Sequence, residues 1–150
     1  MAKIKVLFVC SENTTRSQMA QAWLTHLCGD RFEAHSAGIH PGKEVHPFAV
    51  RVMKEVGIDL SAHRTQSVFD VYKSGAVFNY IITVCDQASA EKCPVFLGLV
   101  RQIHWDVPDP SDHGGSDQEE LQAMREMRDA MRDSIEQWCL QSKDSLNHTP

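Results

Sequence analysis

Short apolar runs alternate along the chain with longer stretches in which apolar residues recur every three or four positions. The short runs are rich in β-branched and aromatic residues, which is typical of strands, whereas the longer stretches predict amphipathic helices. The predicted strands lie within residues 6–10, 32–36, 76–84 and 103–107. The predicted helices lie within residues 17–27, 47–56, 68–73 and 116–138. This alternation predicts an α/β fold, a single-domain open parallel sheet of about four strands flanked by helices.

The last predicted helix has the clearest boundaries. Ser116 and Glu119 have the spacing of a capping box, and an apolar stripe rich in methionine follows them. Residues 141–150 are almost entirely polar. We therefore expect one domain over residues 1–140 and a disordered tail over residues 141–150.

The segment between the first strand and the first helix carries the main chemical signal. Cys10 ends the strand, five small or polar residues follow, and Arg16 begins the helical stretch. Amide N–H groups at a helix start bind anions and favour the thiolate form of a nearby cysteine. The planar fork of Arg16 suits a tetrahedral oxyanion. We therefore predict that Cys10 is a nucleophile and that residues 10–17, here called the nucleophile loop, cradle an oxyanion. The predicted oxyanion-binding residues are Ser11, Glu12, Asn13, Thr14, Thr15, Arg16 and Ser17.

Two further candidate residues follow later strands. Cys85 comes at the end of the third predicted strand, and Asp109 lies shortly after the fourth. Because ligands of parallel sheets bind beyond the carboxyl ends of the strands, we expect both residues to converge on Cys10. Asp109 stands between Pro108 and Pro110 in a stiff loop and is a candidate acid for a departing oxygen. The alternative is a turn aspartate without a catalytic role.

Composition narrows the class of protein. The chain has 150 residues, 42% of them apolar, and a net charge of -5, which argues against a general nucleic-acid partner. No apolar run approaches the roughly 20 residues of a membrane span, and the amino end lacks a signal-peptide pattern. We therefore expect a cytoplasmic protein without a membrane association.

The cysteines and histidines add chemical limits. Five cysteines are an odd number, so a static disulfide framework is not expected, and Cys28 and Cys139 are interpreted as packed thiols. None of the eight histidines pairs with a cysteine at zinc-finger spacing. We predict neither a metal site nor a cofactor.

The motif Cys-x5-Arg-Ser, together with the later Asp109-Pro110, is similar to the low-molecular-weight protein tyrosine phosphatase superfamily. Within that superfamily, the stretch from Val84-Cys85-Asp86 to Cys93-Pro94-Val95-Phe96 resembles the redox segment of thioredoxin-coupled arsenate reductases. The resemblance covers residues 4–140. Other matching stretches are 16–20, 36–38, 46–47 and 55–59.

This resemblance implies a reaction in which the three cysteines act in turn. Cys10 attacks arsenate, which the loop amides and Arg16 hold, while Asp109 protonates the departing oxygen. Cys85 then attacks Cys10, which releases arsenite, and Cys93 attacks Cys85. The final Cys85/Cys93 disulfide is reduced by thioredoxin, and residues 85–93, here called the relay segment, must shift during the exchange. The implied enzyme needs no cofactor, and we expect a monomer.

The chain departs from the family pattern at several positions. Glu12 replaces a glycine, and its carboxylate must either point outward or repel the substrate. Thr15 stands where a second loop cysteine is common, so a disulfide within the loop is excluded. Gln21 and Thr65 replace acidic residues of members that bind potassium, so no bound cation is predicted. The spacing from Cys85 to Cys93 is one residue longer than in familiar members.

The sequence is also compatible with two other functions. A phosphatase of the same fold would hydrolyse phosphotyrosine through a Cys10 phosphoenzyme, and Cys85 and Cys93 would then be incidental or protective thiols. His63-Arg64 is closer to the phosphatase branch, but the tyrosine that often follows Asp-Pro in phosphatases is missing. The third possibility is a sensor of oxyanions or oxidants that acts through a partner without turnover.

Overall fold

A parallel sheet forms the centre of the fold. The structure is a computed structural model and describes residues 2–110 and 115–147, with side chains through residue 141. The elements follow in the order β1 (Ile4–Cys10), α1 (Arg16–Cys28), β2 (Phe32–Gly38), α2 (Pro47–Lys54), α3 (Val68–Lys73), β3 (Tyr80–Cys85), α4 (Gln87–Ala90), β4 (Arg101–Asp106) and α5 (Asp117–Asn147). The strands lie side by side as β2-β1-β3-β4, and every neighbouring pair is parallel. The predicted α/β architecture is confirmed.

Both faces of the sheet are covered, which explains why β1 reads as an uninterrupted apolar run. Val6 and Phe8 point into a large core cluster that α1, α2 and α5 complete. Leu7 and Val9 point to the other face, into a smaller cluster shared with Val71 of α3 and other residues. β1 therefore lies at the centre, and Cys10 at its end emerges between two neighbouring strands.

The third strand is shorter than the pattern predicts. β3 begins at Tyr80, although the apolar run starts at residue 76. Gly75 has a φ of 78°, and Asn79 Oδ1 accepts a hydrogen bond of 2.8 Å from the backbone of Lys5. Phe78 packs into the smaller cluster. The first residues of the run, 76–79, are therefore an irregular segment that follows the turn at Gly75, because apolar character alone does not separate a strand from a buried loop.

The last helix is longer than predicted. α5 continues past residue 140 to Asn147, so residues 141–147 are helical and not part of a disordered tail. These residues contain neither glycine nor proline, so nothing in the sequence stops the helix. Residues 148–150 of the predicted tail lie outside the described residues. No helix in the described ranges has both the length and the apolar character to cross a membrane.

Cys28 and Cys139 are joined in a disulfide, so their interpretation as packed thiols is wrong. Cys28 ends α1, Cys139 lies on α5, and their Cα atoms are 6.6 Å apart although 111 positions separate them in sequence. Both residues are buried in the large cluster. The odd number of cysteines gave no hint of this pair, because only the packing of α1 against α5 brings the two thiols together.

Candidate active site

The nucleophile loop is held from outside through its carbonyl groups. Four of these carbonyls accept hydrogen bonds of 2.7–3.0 Å from the backbone N–H groups of the segment after β2. The pairs are Cys10 with Ile39, Ser11 with His40, Glu12 with Gly42 and Thr14 with His46. Because the carbonyls face outward, the loop amides are left to face its centre, as in anion-binding nests.

Asn13 fixes the sharpest point of the loop. Its φ of 59° lies in the left-handed region, which asparagine tolerates better than most residues. Its side-chain Nδ2 donates to Ser17 Oγ at 2.7 Å, and its Oδ1 accepts from the backbone of Gln66 at 3.0 Å. The side chain is fully buried. Asn13 thus joins the loop to the start of α1 and to the segment before α3.

Two donors approach the sulfur of Cys10. The backbone N–H of Asn13 lies 3.1 Å from Cys10 Sγ, and Ser17 Oγ lies 2.9 Å from it. Because Ser17 Oγ already accepts a hydrogen bond from Asn13 Nδ2, its own proton is available to the sulfur. Two hydrogen-bond donors therefore meet at the sulfur atom of the candidate nucleophile.

Arg16 connects the loop to the chain after β4. Its Nη1 donates to the carbonyl of Val107 at 3.0 Å, and its Nη2 lies 3.8 Å from Asp109 Oδ2. The arginine is only 4% exposed, and its Nε is buried without a hydrogen-bond partner in the described part of the chain. A buried guanidinium with an unsatisfied N–H group is suited to bind an oxyanion. The structure also brings Asp109, the candidate acid, to this site.

Cys85 and Cys93 are buried free thiols. Burial raises the pKa of each thiol to about 11. For Cys85, the charge of Arg16 acts in the opposite direction and lowers the pKa, while Cys10 and Cys93 add to the increase. These interactions place Cys85 near the other residues of the site. Both thiols are therefore protonated near neutral pH in this conformation.

The relay segment contains one short helix. α4 spans only Gln87–Ala90, about one helical turn. Asp86 caps it, since its Oδ1 accepts a hydrogen bond of 2.7 Å from the backbone of Ser89. Ser11 Oγ donates to Ser89 Oγ at 3.0 Å and so ties this helix to the nucleophile loop.

The structure shows the exposure and the hydrogen bonds of the side chains that depart from the family pattern. The side chain of Glu12 is exposed, so its carboxylate faces solvent and not the buried centre of the loop. Ser36 Oγ donates to Gln21 Oε1 at 2.5 Å, and Thr65 Oγ1 donates to the carbonyl of Gly42 at 2.6 Å. Neutral hydrogen bonds thus occupy these side chains. Residues 2–110 and 115–141 contain no group of three or more metal-ligating side chains close enough to hold an ion.

Two supporting residues were missed as parts of the site. Gln18 is fully buried on α1, and its Nε2 donates to the carbonyls of Asn13 and Arg64 at 3.1 and 3.0 Å. A Cβ atom on Gly38 would lie 2.9 Å from the backbone nitrogen of Asn13, so only glycine fits there. Both residues belong to stretches that match the family. Their roles depend on the loop's position in space, which the spacing of residues does not reveal.

The chain is similar to known proteins both in sequence and in fold. Residues 5–149 match the profile of a family described as low molecular weight phosphotyrosine protein phosphatase. An arsenate reductase of Halalkalibacterium halodurans is 35% identical over 129 residues, which cover 86% of this chain and 90% of that protein. A solved structure of an arsenate reductase in the phosphate binding state has a TM-score of 0.72 at 26% identity and covers 92% of this chain and 98% of its own. A thioredoxin-dependent arsenate reductase of Corynebacterium glutamicum has a TM-score of 0.62 at 28% identity and covers 89% of this chain and 62% of its own.

Proposed function

The chain belongs to the low molecular weight phosphotyrosine protein phosphatase family, and we propose that it reduces arsenate to arsenite through a relay of three cysteines. The family resemblance read from the sequence is thereby confirmed. The observation that carries the proposal is a pair of buried free thiols: Cys85 ends the strand that pairs with β1, whose last residue is Cys10, and Cys93 lies farther along the relay segment. They offer a thiol, in place of water, as the second nucleophile.

The first step is capture of the oxyanion. The loop amides and the guanidinium of Arg16, with its unsatisfied Nε, hold the arsenate oxygens. The Cys10 thiolate then attacks arsenic, and an As–S bond replaces an As–O bond. Asp109, beside Arg16, supplies the proton with which the departing oxygen leaves as water.

The second step transfers two electrons from sulfur to arsenic. The Cys85 thiolate attacks Cys10 Sγ, the As–S bond breaks, and its electron pair stays on arsenic, which leaves as arsenite. The protein then contains a Cys10/Cys85 disulfide, and its nucleophile loop no longer holds an oxyanion. Cys93 then attacks Cys85, which returns Cys10 to its thiolate form and leaves a Cys85/Cys93 disulfide. A dithiol protein of the thioredoxin class reduces this last disulfide.

The relay requires a movement of the segment that carries it. Cys85 and Cys93 are protonated and buried in the present conformation, so the second and third thiols react only when the segment loosens. α4 is one turn long, and such a helix has little stability of its own. The dependence of the Corynebacterium glutamicum relative on thioredoxin supports the same class of reductant.

The test is a single turnover in the absence of a reductant. The protein, with its relay thiols free, is mixed with one equivalent of arsenate, alkylated, and mapped by mass spectrometry. We expect one arsenite per chain and a Cys85/Cys93 disulfide. Cys93→Ser should stop at a Cys10/Cys85 disulfide, and Cys10→Ser should release no arsenite.

The control is the double variant Cys28→Ala/Cys139→Ala, which removes two cysteines outside the relay and should give the same arsenite yield. Hydrolysis of phosphotyrosine peptides that survives loss of Cys85 and Cys93, without arsenite release, would identify a phosphatase instead. Oxidant-dependent binding of a partner without any Cys10-dependent turnover would identify a sensor.

A further inference from the structure

A cavity of about 390 Å³ lies between α5 and the chain around the end of β4. Its apolar lining comes from Trp105 and Val107 on one side and from Met127 and Met131 on the other. The α5 residues at its border recur every three or four positions, so one face of the helix forms this side. Cavities that bind small organic molecules are mostly apolar and measure about 300–1,000 Å³. In size and lining, this cavity belongs to that class.

The walls of the cavity explain why it stays open. Pro108 and Pro110 lie on the side of the chain after β4, and their rings hold φ at about −65°. Ala123 and Ala130 lie on the helix side, where their short side chains leave room. Met131 is only 3% exposed and fixes this part of α5 in the large cluster. A stiff segment therefore faces an anchored helix with small side chains, and neither wall is free to fill the space between them.

The charged groups that line the cavity all have the same sign. They are the carboxylates of Asp106, Asp109 and Glu126. Asp106 and Glu126 are exposed, and the side chain of Asp109 is 28% exposed. Among the lining residues that the structure describes, there is no lysine, arginine or histidine. An organic cation complements such a surface, because its charge pairs with the carboxylates while its apolar part leaves water.

The cavity adjoins the candidate active site through Val107 and Asp109. Both residues line the cavity, and both contact Arg16. The carbonyl of Val107 accepts a hydrogen bond of 3.0 Å from Nη1, and Asp109 Oδ2 lies 3.8 Å from Nη2. The lining described by the structure contains no residue of the nucleophile loop. A ligand in the cavity thus contacts the segment that carries the candidate acid without entering the oxyanion site.

We propose that this cavity is a regulatory site for an organic ammonium ion with an aromatic body, an inference that rests on the proposed function. The proposed reaction needs Asp109 as a proton donor to the departing oxygen. A positive charge beside a carboxylate stabilises its ionised form and so opposes that step. The bound cation therefore slows the attack of Cys10 on arsenate, whereas the loop amides that capture the oxyanion remain outside its reach.

The binding experiment uses three probes of similar shape and different charge. Phenethylammonium is the cation, phenethyl alcohol is its neutral counterpart, and hydrocinnamate is an anion. Each probe is titrated into the full chain by calorimetry. We expect the cation to bind one site with a Kd of about 1 mM, as befits a ligand of few atoms, and the other two probes to bind at least about tenfold more weakly.

Two variants locate the bound cation. Glu126→Gln removes one carboxylate of the lining and should weaken binding of phenethylammonium about threefold to tenfold. Ala130→Leu places a larger side chain in the cavity and should abolish binding. The matched control is Glu136→Gln, since Glu136 is also exposed on α5 but pairs with Arg132 outside the lining. Its Kd should equal that of the wild-type protein.

The effect on the reaction is measured as the rate of arsenite release in a single turnover without a reductant. Saturating phenethylammonium should lower the maximal rate about tenfold and change the half-saturating arsenate concentration less than about twofold. Ala130→Leu should keep the uninhibited rate and lose the inhibition. Equal binding of the neutral probe, inhibition that survives in Ala130→Leu, or a rise in the half-saturating arsenate concentration alone would overturn the regulatory site and leave the proposed function intact. Absence of arsenite from the wild-type protein without any probe would overturn the proposed function, and the regulatory role with it.

Discussion

The nucleophile loop and the relay segment lie against each other but are held in opposite ways. Four carbonyls of the loop are bonded to the chain after β2, and its asparagine is bonded on two sides. The relay segment has one helical turn, and its side-chain bond to the loop runs from Ser11 to Ser89. The nucleophile loop is therefore fixed before substrate arrives, whereas in the described part of the chain a single side-chain hydrogen bond ties the relay segment to it.

This difference matches the two halves of the proposed reaction. Stabilising charge on an oxyanion requires donors that are already in place, because reorienting them during the reaction costs free energy. Passing a disulfide from one buried thiol to another requires sulfur atoms to change position. The fixed donors around Cys10 and the short helix of the relay segment therefore serve different steps, and each can be disturbed separately.

The largest expected effect concerns the anchoring of the loop's helix. α1 begins at Arg16 and is attached to α5 at its other end by the Cys28–Cys139 disulfide. A crosslink across about 100 residues stabilises a fold by about 4 kcal/mol, because it restricts the unfolded chain. We expect Cys28→Ala/Cys139→Ala to lower the free energy of unfolding by that amount in urea titrations.

Wild-type protein with both thiols reduced is the control for this measurement, because it keeps the sulfur atoms in the core. The reduced wild-type protein should show most of the same decrease in the free energy of unfolding. Equal stability of the reduced and oxidised wild-type protein, within about 0.5 kcal/mol, would show that the crosslink does not anchor the helix.

The next prediction tests whether the oxyanion site formed by the nucleophile loop and Arg16 is in place before substrate binds. Arg16→Lys keeps the charge but removes the planar fork that contacts Val107 and Asp109 and that the proposed reaction uses to bind the oxyanion. We expect kcat/KM for arsenate to fall about 100- to 1,000-fold. Arg128→Lys is the matched control, because Arg128 is also buried but bonds to Val52 and Glu55. It should change stability and leave kcat/KM within about twofold. A similar loss in both variants would contradict a specific role for Arg16.

The two regions were also unequally predictable. The strand, loop and helix around Cys10 follow from local patterns, so the sequence alone indicated that Cys10 ends the strand and that Arg16 begins the helix. Gln18 and the Cys28–Cys139 pair were missed as parts of their sites, because each depends on contacts between distant segments. The segment predicted to contain the third strand began at residue 76, four residues before β3, because the local turn at Gly75 outweighs strand propensity.

A smaller effect, the pH dependence of the relay, distinguishes ionisation of Cys93 in the buried conformation from ionisation after the relay segment opens. Burial raises the pKa of Cys93 from about 9 to about 11 in the present conformation. A raised thiol pKa means that the thiolate fraction grows with pH, about tenfold per unit, until the pKa is reached. If Cys93 attacks from the buried state, the single-turnover rate of Cys85/Cys93 formation rises steadily from pH 7 to 10.

If the segment opens first, the thiol regains its usual pKa and the rate levels off near pH 9. We expect this second profile, because Cys93 is buried and α4, the helix before it, is one turn long and has little stability of its own. The variant Cys93→Ser stops at the Cys10/Cys85 disulfide. The rate at which that disulfide forms therefore gives the pH profile of the preceding step by itself. A rise that continues unchanged to pH 10 would contradict opening before attack.

The smallest expected effect concerns the hydrogen bond between the two regions. Ser89→Ala removes the acceptor for Ser11 Oγ but keeps the backbone N–H that bonds to Asp86. A partly buried hydrogen bond contributes about 1 kcal/mol, which corresponds to about fivefold in an opening equilibrium. We expect the amides of α4 to exchange with solvent about fivefold faster and the Cys85/Cys93 disulfide to form faster by the same factor. Binding of inorganic phosphate to the nucleophile loop should not change, and Ser89→Thr should restore the wild-type rates. A slower relay in Ser89→Ala would mean that this contact aligns the thiols for attack, and that the segment does not have to leave the loop before Cys93 reacts.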